Sequence, residues 1–128
     1  MDVKKKLLGG YEVFTHNGEK ATGVCPIKFA EEAQRLGAGE IVINSIDKDG
    51  VMKGYDFDLI TKVRETLTVP MTVLGGAGSL EDIEKVINKF GVIGVAAGSL
   101  FVFKGPYKAV LINYPTQLEK NKIFKINQ

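Results

Sequence analysis

The chain is poor in the residues that carry metal and redox chemistry. It has one cysteine, Cys25, and one histidine, His16, in 128 residues. A lone cysteine excludes an internal disulfide and supplies no metal cluster. One histidine cannot build a zinc site of the usual kind within one chain, so neither metal nor cofactor is expected. No apolar run approaches the length that crosses a bilayer, and no membrane partner is expected. The opening residues do not read as a signal peptide, which makes the expected location cytoplasmic. Neither charge sign dominates, since 17 basic and 15 acidic side chains leave +2. A nucleic-acid binder would show a basic stripe. The short runs here, Lys4-Lys5-Lys6 and Lys120 to Lys125, read instead as a solvated face and a tail.

What is present is apolar and rich in glycine. Hydrophobic residues make up 45% of the chain, enough for the core of one domain. The 15 glycines lie at strand and helix ends rather than in a repeat, which speaks against disorder. The most informative stretch is Gly75-Gly76-Ala77-Gly78-Ser79. It follows Val69 to Leu74, which reads as a buried parallel strand, and precedes Leu80-Glu81-Asp82-Ile83, the first turn of a helix. Glycines at such a junction leave backbone N–H groups bare, and an anion can sit on them. A second junction of the same kind is Val95-Ala96-Ala97-Gly98-Ser99-Leu100. Two neighbouring junctions suggest one phosphate held between them, as at the top of (β/α) barrels.

Strand, loop and helix recur along the chain at the spacing of βα units. Met1-Asp2-Val3 reads as the end of a strand whose beginning is absent. Residues of about 7 to 23 form an inserted hairpin around Asn17-Gly18, with His16 at its tip on the surface. Pro26 opens a helix over Ile27 to Leu36, and Gly37 and Gly39 end it. Glu40 to Ile46 is a strand whose run of β-branched residues predicts cover on both faces. Asp47 to Gly54 is a polar loop. Asp58 to Thr66 and Ser79 to Lys89 are helices, Val92 to Ala96 is a strand, and Leu100 to Phe103 is a short helix. Ala109 to Ile112 fits helix or strand equally, and the tail from about residue 115 is weakly patterned. Periodicity does not choose between an open sheet, including a flavodoxin-like one, and half of a closed barrel.

The acidic residues at strand ends are the candidates for proton transfer. Asp2 closes the first partial strand, and Asp47 and Asp49 follow the second. A buried carboxylate near a bound phosphate has a tunable pKa and can move protons. Asp-Lys-Asp-Gly is also ordinary turn composition, and it lacks the later ligands of a calcium loop.

These segments, taken in order, carry a resemblance. Gly37-Ala38-Gly39-Glu40-Ile41, Ser45-Ile46-Asp47-Lys48-Asp49-Gly50, Gly54-Tyr55-Asp56 and Gly75-Gly76-Ala77-Gly78 resemble the C-terminal half of the cyclase subunits of imidazole glycerol phosphate synthase. The match runs to about Phe103. It implies an α/β fold, a (β/α)4 half of a TIM barrel holding strands five to eight, with residues 1–128 as one half-barrel domain. The segment from Ala97 to Gly105, Ala109 to Pro115, and Asp2 to Lys6 resemble a paralogous branch associated with surface polysaccharides. Resemblance to that branch implies a part in building acetamidino-type groups on surface sugars.

The resemblance implies a mechanism in which ammonia from a glutamine amidotransferase subunit meets a phosphorylated ribulosyl aminoimidazole substrate. Asp2 then matches the strand-five aspartate of an acid–base pair whose strand-one member lies in the other half. Asp49 matches a further aspartate that assists. Asn44 stands where the histidine-pathway enzyme has a threonine near the substrate. Gly75 and Gly76 fall at the phosphate site after strand seven, and Gly98 and Ser99 at the one after strand eight. A four-stranded arc is expected to expose both edges and an inner face of Ile, Val and Leu, so it should close to (β/α)8 as a homodimer or with an N-terminal half-barrel. The competing expectation is a noncatalytic module that binds phosphate or the amidotransferase partner.

Overall fold

The computed structural model describes residues 1–124, so Lys125 at the end of the basic tail run lies outside the described residues. Three strands come first: β1 (Asp2–Lys5), β2 (Tyr11–Thr15) and β3 (Lys20–Ala21). Helices and parallel strands then alternate: α1 (Pro26–Arg35), β4 (Ile41–Ser45), α2 (Phe57–Arg64), β5 (Met71–Leu74), α3 (Leu80–Phe90) and β6 (Gly94–Val95). The chain continues through α4 (Ser99–Val102), β7 (Phe103–Lys104), β8 (Ala109–Val110) and α5 (Gln117–Ile123).

Local chemistry sets the helix starts. Pro26 stands in the first turn of α1, where its fixed φ suits the helix and its missing N–H is not needed. Asp56 caps α2 by accepting the Leu59 N–H at 3.1 Å, and the Ser79 hydroxyl caps α3 by accepting the Asp82 N–H at 3.3 Å. In the tail, Thr116 and Glu119 form a reciprocal capping box that starts α5, and Ile123 anchors it in the core.

The main sheet has the order β3-β2-β1-β4-β5-β6. Within it β1, β4, β5 and β6 are parallel and neighbour one another in chain order. A flavodoxin-like sheet doubles back on itself and is thereby excluded. All three long helices bury their apolar stripes on one face. Ala30, Leu59, Ile60, Val63, Ile83 and Val86 pack there with Val3, Ile41, Ile43, Met71 and Val73 of the strands. A parallel sheet in chain order with helices on one face only is an arc of a (β/α) barrel, here a half-barrel of four βα units.

The bare face differs from expectation. Alternation along the paired strands puts Asp2, Val42, Asn44, Thr72 and Leu74 there. Val42 is 45% exposed, while Ile41 and Ile43 turn into the helix layer. The run Ile41-Val42-Ile43 therefore does not mark a strand covered on both faces. The inner face is mixed, with the Thr72 hydroxyl donating to Glu40 at 2.6 Å.

The edges differ as well. β1 does not stop at Val3, because the chain runs on into a tight turn and returns as β2. The antiparallel register Asp2↔Phe14 to Lys5↔Tyr11 covers the edge that β1 was expected to expose. Among the described residues β6 pairs with β5 alone, which leaves its outer edge without a strand. The ambiguous segment at Ala109 resolves as a strand, with β7 and β8 forming a separate two-stranded sheet. Among the described residues no helix is long and apolar enough to cross a membrane.

Candidate functional site

The carboxyl ends of the parallel strands lie level with one another. Asp2 pairs with Asn44, and Asn44 pairs with Leu74. Although Asp2 opens β1, it therefore sits at the rim where the parallel sheet ends. The strand passes beyond that rim only through its antiparallel partner.

Asn44 ties the rim together. Its Nδ2–H donates to Asp2 Oδ1 at 3.0 Å. The opposite amide orientation would set two acceptor oxygens against each other, so Asp2 fixes which way Asn44 points. Asn44 Oδ1 is then buried, with no hydrogen-bond partner among the described residues. Gly75 makes room for it. A Cβ at Gly75 would stand 2.9 Å from Asn44 Oδ1 and 2.7 Å from the Ser45 carbonyl oxygen, and its φ of +95° also favours glycine.

The loop from Asp47 to Gly54 folds down onto the next junction. The Asp49 N–H donates to the Ser45 carbonyl at 2.9 Å, and Asp47 Oδ2 accepts the Lys5 N–H at 2.7 Å. The Gly54 N–H donates to the Gly76 carbonyl at 2.8 Å. A Cβ at Gly76 would overlap the Gly54 carbonyl, and one at Gly78 would overlap that of Met52. These glycines are thus required by backbone-to-backbone packing, a demand that holds with or without an anion.

Asp49, Gly50, Gly75, Gly76, Gly98 and Ser99 line one small cleft of about 10 Å³, room for a single water-sized group. Asp49 is exposed at its mouth. Asp2 is not part of this lining, and Asn44 lies between Asp2 and the cleft through its contact with Gly75. His16 sits exposed in the hairpin turn, with a ring nitrogen 3.0 Å from the Thr15 hydroxyl.

The two glycine junctions are not equivalent. At the first, the N-terminus of α3 is satisfied from within: Asp82 accepts the Gly78 N–H at 3.1 Å while Ser79 caps Asp82. That carboxylate is itself a negative charge at the helix start. At the second, Gly98 is the N-cap of α4 and makes no side-chain cap bond. Among the described residues, the Gly98 and Ser99 amides are left without a capping side chain.

Two contributors were not singled out from the sequence. Tyr55 donates its hydroxyl to the Ala96 carbonyl at 2.7 Å, which pins the loop across to the end of β6. Burial, with a smaller effect from nearby Asp82, pushes that hydroxyl above the ordinary tyrosine range, so it remains a donor. Asp82 was hidden among helix residues, and its signal is the Ser79-to-Asp82 capping spacing. Among the described residues no cluster of His, Cys, Asp and Glu could hold a metal ion.

Known proteins place the chain. It is 57% identical over 125 residues to "Putative imidazole glycerol phosphate synthase subunit HisF" of Leptospira interrogans, covering 97% of this chain and 49% of that protein. It is 54% identical over 127 residues to "Putative imidazole glycerol phosphate synthase subunit hisF3" of Vibrio vulnificus (strain YJ016), covering 98% and 49%. A relative from Pseudomonas aeruginosa, "Putative imidazole glycerol phosphate synthase subunit hisF2", is 44% identical over 115 residues, covering 90% and 46%. The chain thus spans about half the length of the curated relatives it matches. The family model described as "Histidine biosynthesis protein" matches residues 1–108, the stretch that holds the four βα units and their rim, and the chain belongs to that family.

Proposed function

We propose that residues 1–128 supply the C-terminal half of a cyclase site that performs ammonia-dependent lyase and ring-closing chemistry on a phosphorylated ribulosyl aminoimidazole substrate. The observation that carries this reading is Asp2 at the strand rim, hydrogen-bonded by Asn44 at 3.0 Å, with Asn44 standing between it and the glycine cleft. The relatives' names, as subunits of imidazole glycerol phosphate synthase, support it.

Each residue has a role in this reading. The Asn44 N–H engages Asp2 Oδ1 and leaves the second carboxylate oxygen to take up and return a proton. Asp49, at the mouth of the cleft, assists. The amides of Gly98 and Ser99 take one oxygen of the substrate phosphate, the cleft having room for a single water-sized group, and the Gly75-Gly76 turn shapes the floor beneath it. A glutamine amidotransferase subunit supplies the ammonia, in the cytoplasm. A second copy or an N-terminal half-barrel completes the barrel and brings the opposing aspartate.

A finer reading concerns the substrate. The resemblance of the segment from Ala97 to Pro115 to the surface-polysaccharide branch, together with Asn44 in place of threonine, supports a related amidation step on a sugar. The test supplies ammonia and the phosphorylated aminoimidazole substrate, with and without a separately expressed N-terminal half. Asp2→Asn is expected to lower turnover by about 10²–10⁴-fold with fold retained, as loss of a general acid–base does. Equal rates for the parent chain and Asp2→Asn would end the acid–base assignment. No turnover even with the second half would favour the sugar-directed step or a noncatalytic phosphate- or partner-binding module.

A further inference from the structure

The turn between β1 and β2 carries the most exposed leucines among the described residues. Leu7 and Leu8, between β1 and β2, are 106% and 102% exposed. Gly9 and Gly10 follow with φ of +92° and +78°, and the Lys6 N–H closes the turn on the Gly10 carbonyl at 3.0 Å. The turn is thus backbone-ordered and presents two aliphatic side chains to solvent with nothing packed on them. It follows β1 and projects past the rim where Asp2 sits.

Beside this turn lies a groove of about 670 Å³ between Leu7 and the loop that follows β4. That is the size of a ligand or peptide groove. Lys5, Lys6, Lys48 and Lys53 line it, and among the described residues none of them forms an ion pair. The groove also contains Asp47, Asp56 and Asp58, so four lysines face three carboxylates, and only Asp58 has its charge offset, by Lys62 outside the lining. Asp47 accepts the Lys5 N–H, Asp56 accepts the Tyr11 hydroxyl and the Leu59 N–H, and Asp58 accepts the Tyr11 hydroxyl and pairs with Lys62 at 2.8 Å. Cationic side chains are therefore left to face an occupant.

We propose that this groove and the Leu7-Leu8 turn form a docking surface for an acidic segment of a partner protein that carries aliphatic residues. The lysines receive its carboxylates, and the two leucines, with Val51 on the opposite wall, receive its apolar side chains. Charge complementarity selects the sign of the partner. The concave shape selects a chain segment over a bilayer, because a flat surface cannot enter the groove between Leu7 and Val51. The docked segment would lie beside the strand rim and would place a partner where it can receive or deliver small molecules.

The experiment uses the full chain and a fluorescent synthetic peptide of glutamates and leucines, with a lysine–leucine peptide and phosphatidylglycerol vesicles as comparisons. Saturable binding of the glutamate–leucine peptide, weakened by salt, is expected. The double variants Leu7→Ser with Leu8→Ser and Lys5→Glu with Lys6→Glu should each weaken it about tenfold or more. Circular dichroism should be unchanged, because all four side chains are exposed. Absence of saturable binding overturns the proposal. So does binding that both variants leave intact, equal binding of the lysine–leucine peptide, or binding to the vesicles alone.

Discussion

Gly76 and Gly98 look alike in the sequence, each in a glycine-containing junction after a parallel strand. Their surroundings separate them. Gly76 has φ of +111° and no room for a Cβ under the Gly54 carbonyl, whereas Gly98 has φ of −102° with nothing within 4 Å of a Cβ. Gly76→Ala is therefore expected to destabilise the fold by about 2 kcal/mol or more through strain and overlap. Gly98→Ala should change stability by no more than about 0.5 kcal/mol. Urea denaturation of the two variants checks this, and equal midpoints would refute the packing account. Gly98 is consequently the position at which a bulky residue tests anion binding without disturbing the fold. The sequence displayed both glycines as candidates. It hid their difference, because the difference lies in a loop that returns from twenty or so residues upstream. The pairing of Asn44 with Asp2 was hidden for the same reason, since it depends on the register between β1 and β4.

At the scale of elements, the long helices and the apolar strands were legible because each carries a strong local signal: Pro26 at a first turn, Ser79 before an amphipathic stretch, β-branched residues in β4 and β5. The short β7–β8 pair was not read, because two-residue strands have no alternation to display. Nor was the continuation of β1, which takes its second partner from the hairpin rather than from its own pattern. That hairpin is fastened to the helix layer through one side chain. The Tyr11 hydroxyl lies 2.9 Å from Asp56 and 3.1 Å from Asp58, at the start of α2. Burial first, then these two carboxylates, raise its hydroxyl well above the ordinary tyrosine range. The folded state thus holds a proton that the unfolded chain gives up near the ordinary value of about 10. This contribution is fully present below that pH and is lost as pH climbs from there toward the raised value. Urea midpoints measured from about pH 8 to 11 should fall more steeply for the parent chain than for Tyr11→Phe. Identical slopes would show that Tyr11 does not carry the linkage.

For the whole molecule the decisive feature is asymmetry. Helices cover one face of the parallel sheet, and the other face is bare, with Val42 at 45% exposure between polar neighbours. Among the described residues β6 offers an unpaired outer edge, while β1 is hydrogen-bonded on both sides. A half-barrel of this kind is incomplete in a particular way: its concave face and its β6 edge lack partners, and its β1 rim does not. Association of two copies is expected to use the concave face and the β6 edge first; closing the cylinder further requires β2 to release β1 at Asp2 and Val3. Light scattering at micromolar concentration should then find twice the chain mass of 13.9 kDa, falling toward the single mass on dilution. Amide exchange at Gly94 and Val95 should slow in the associated form, because the edge gains hydrogen bonds. Val42→Lys places a charge on the bare face and should shift the mass toward the single chain, with the helix-side core untouched. A single-chain mass at every concentration, or an associated form that neither protects β6 nor responds to Val42→Lys, would mean that the barrel is not completed by a second copy. The complementary N-terminal half would then be the remaining way to close the cylinder, detectable as a mixed particle of the two halves.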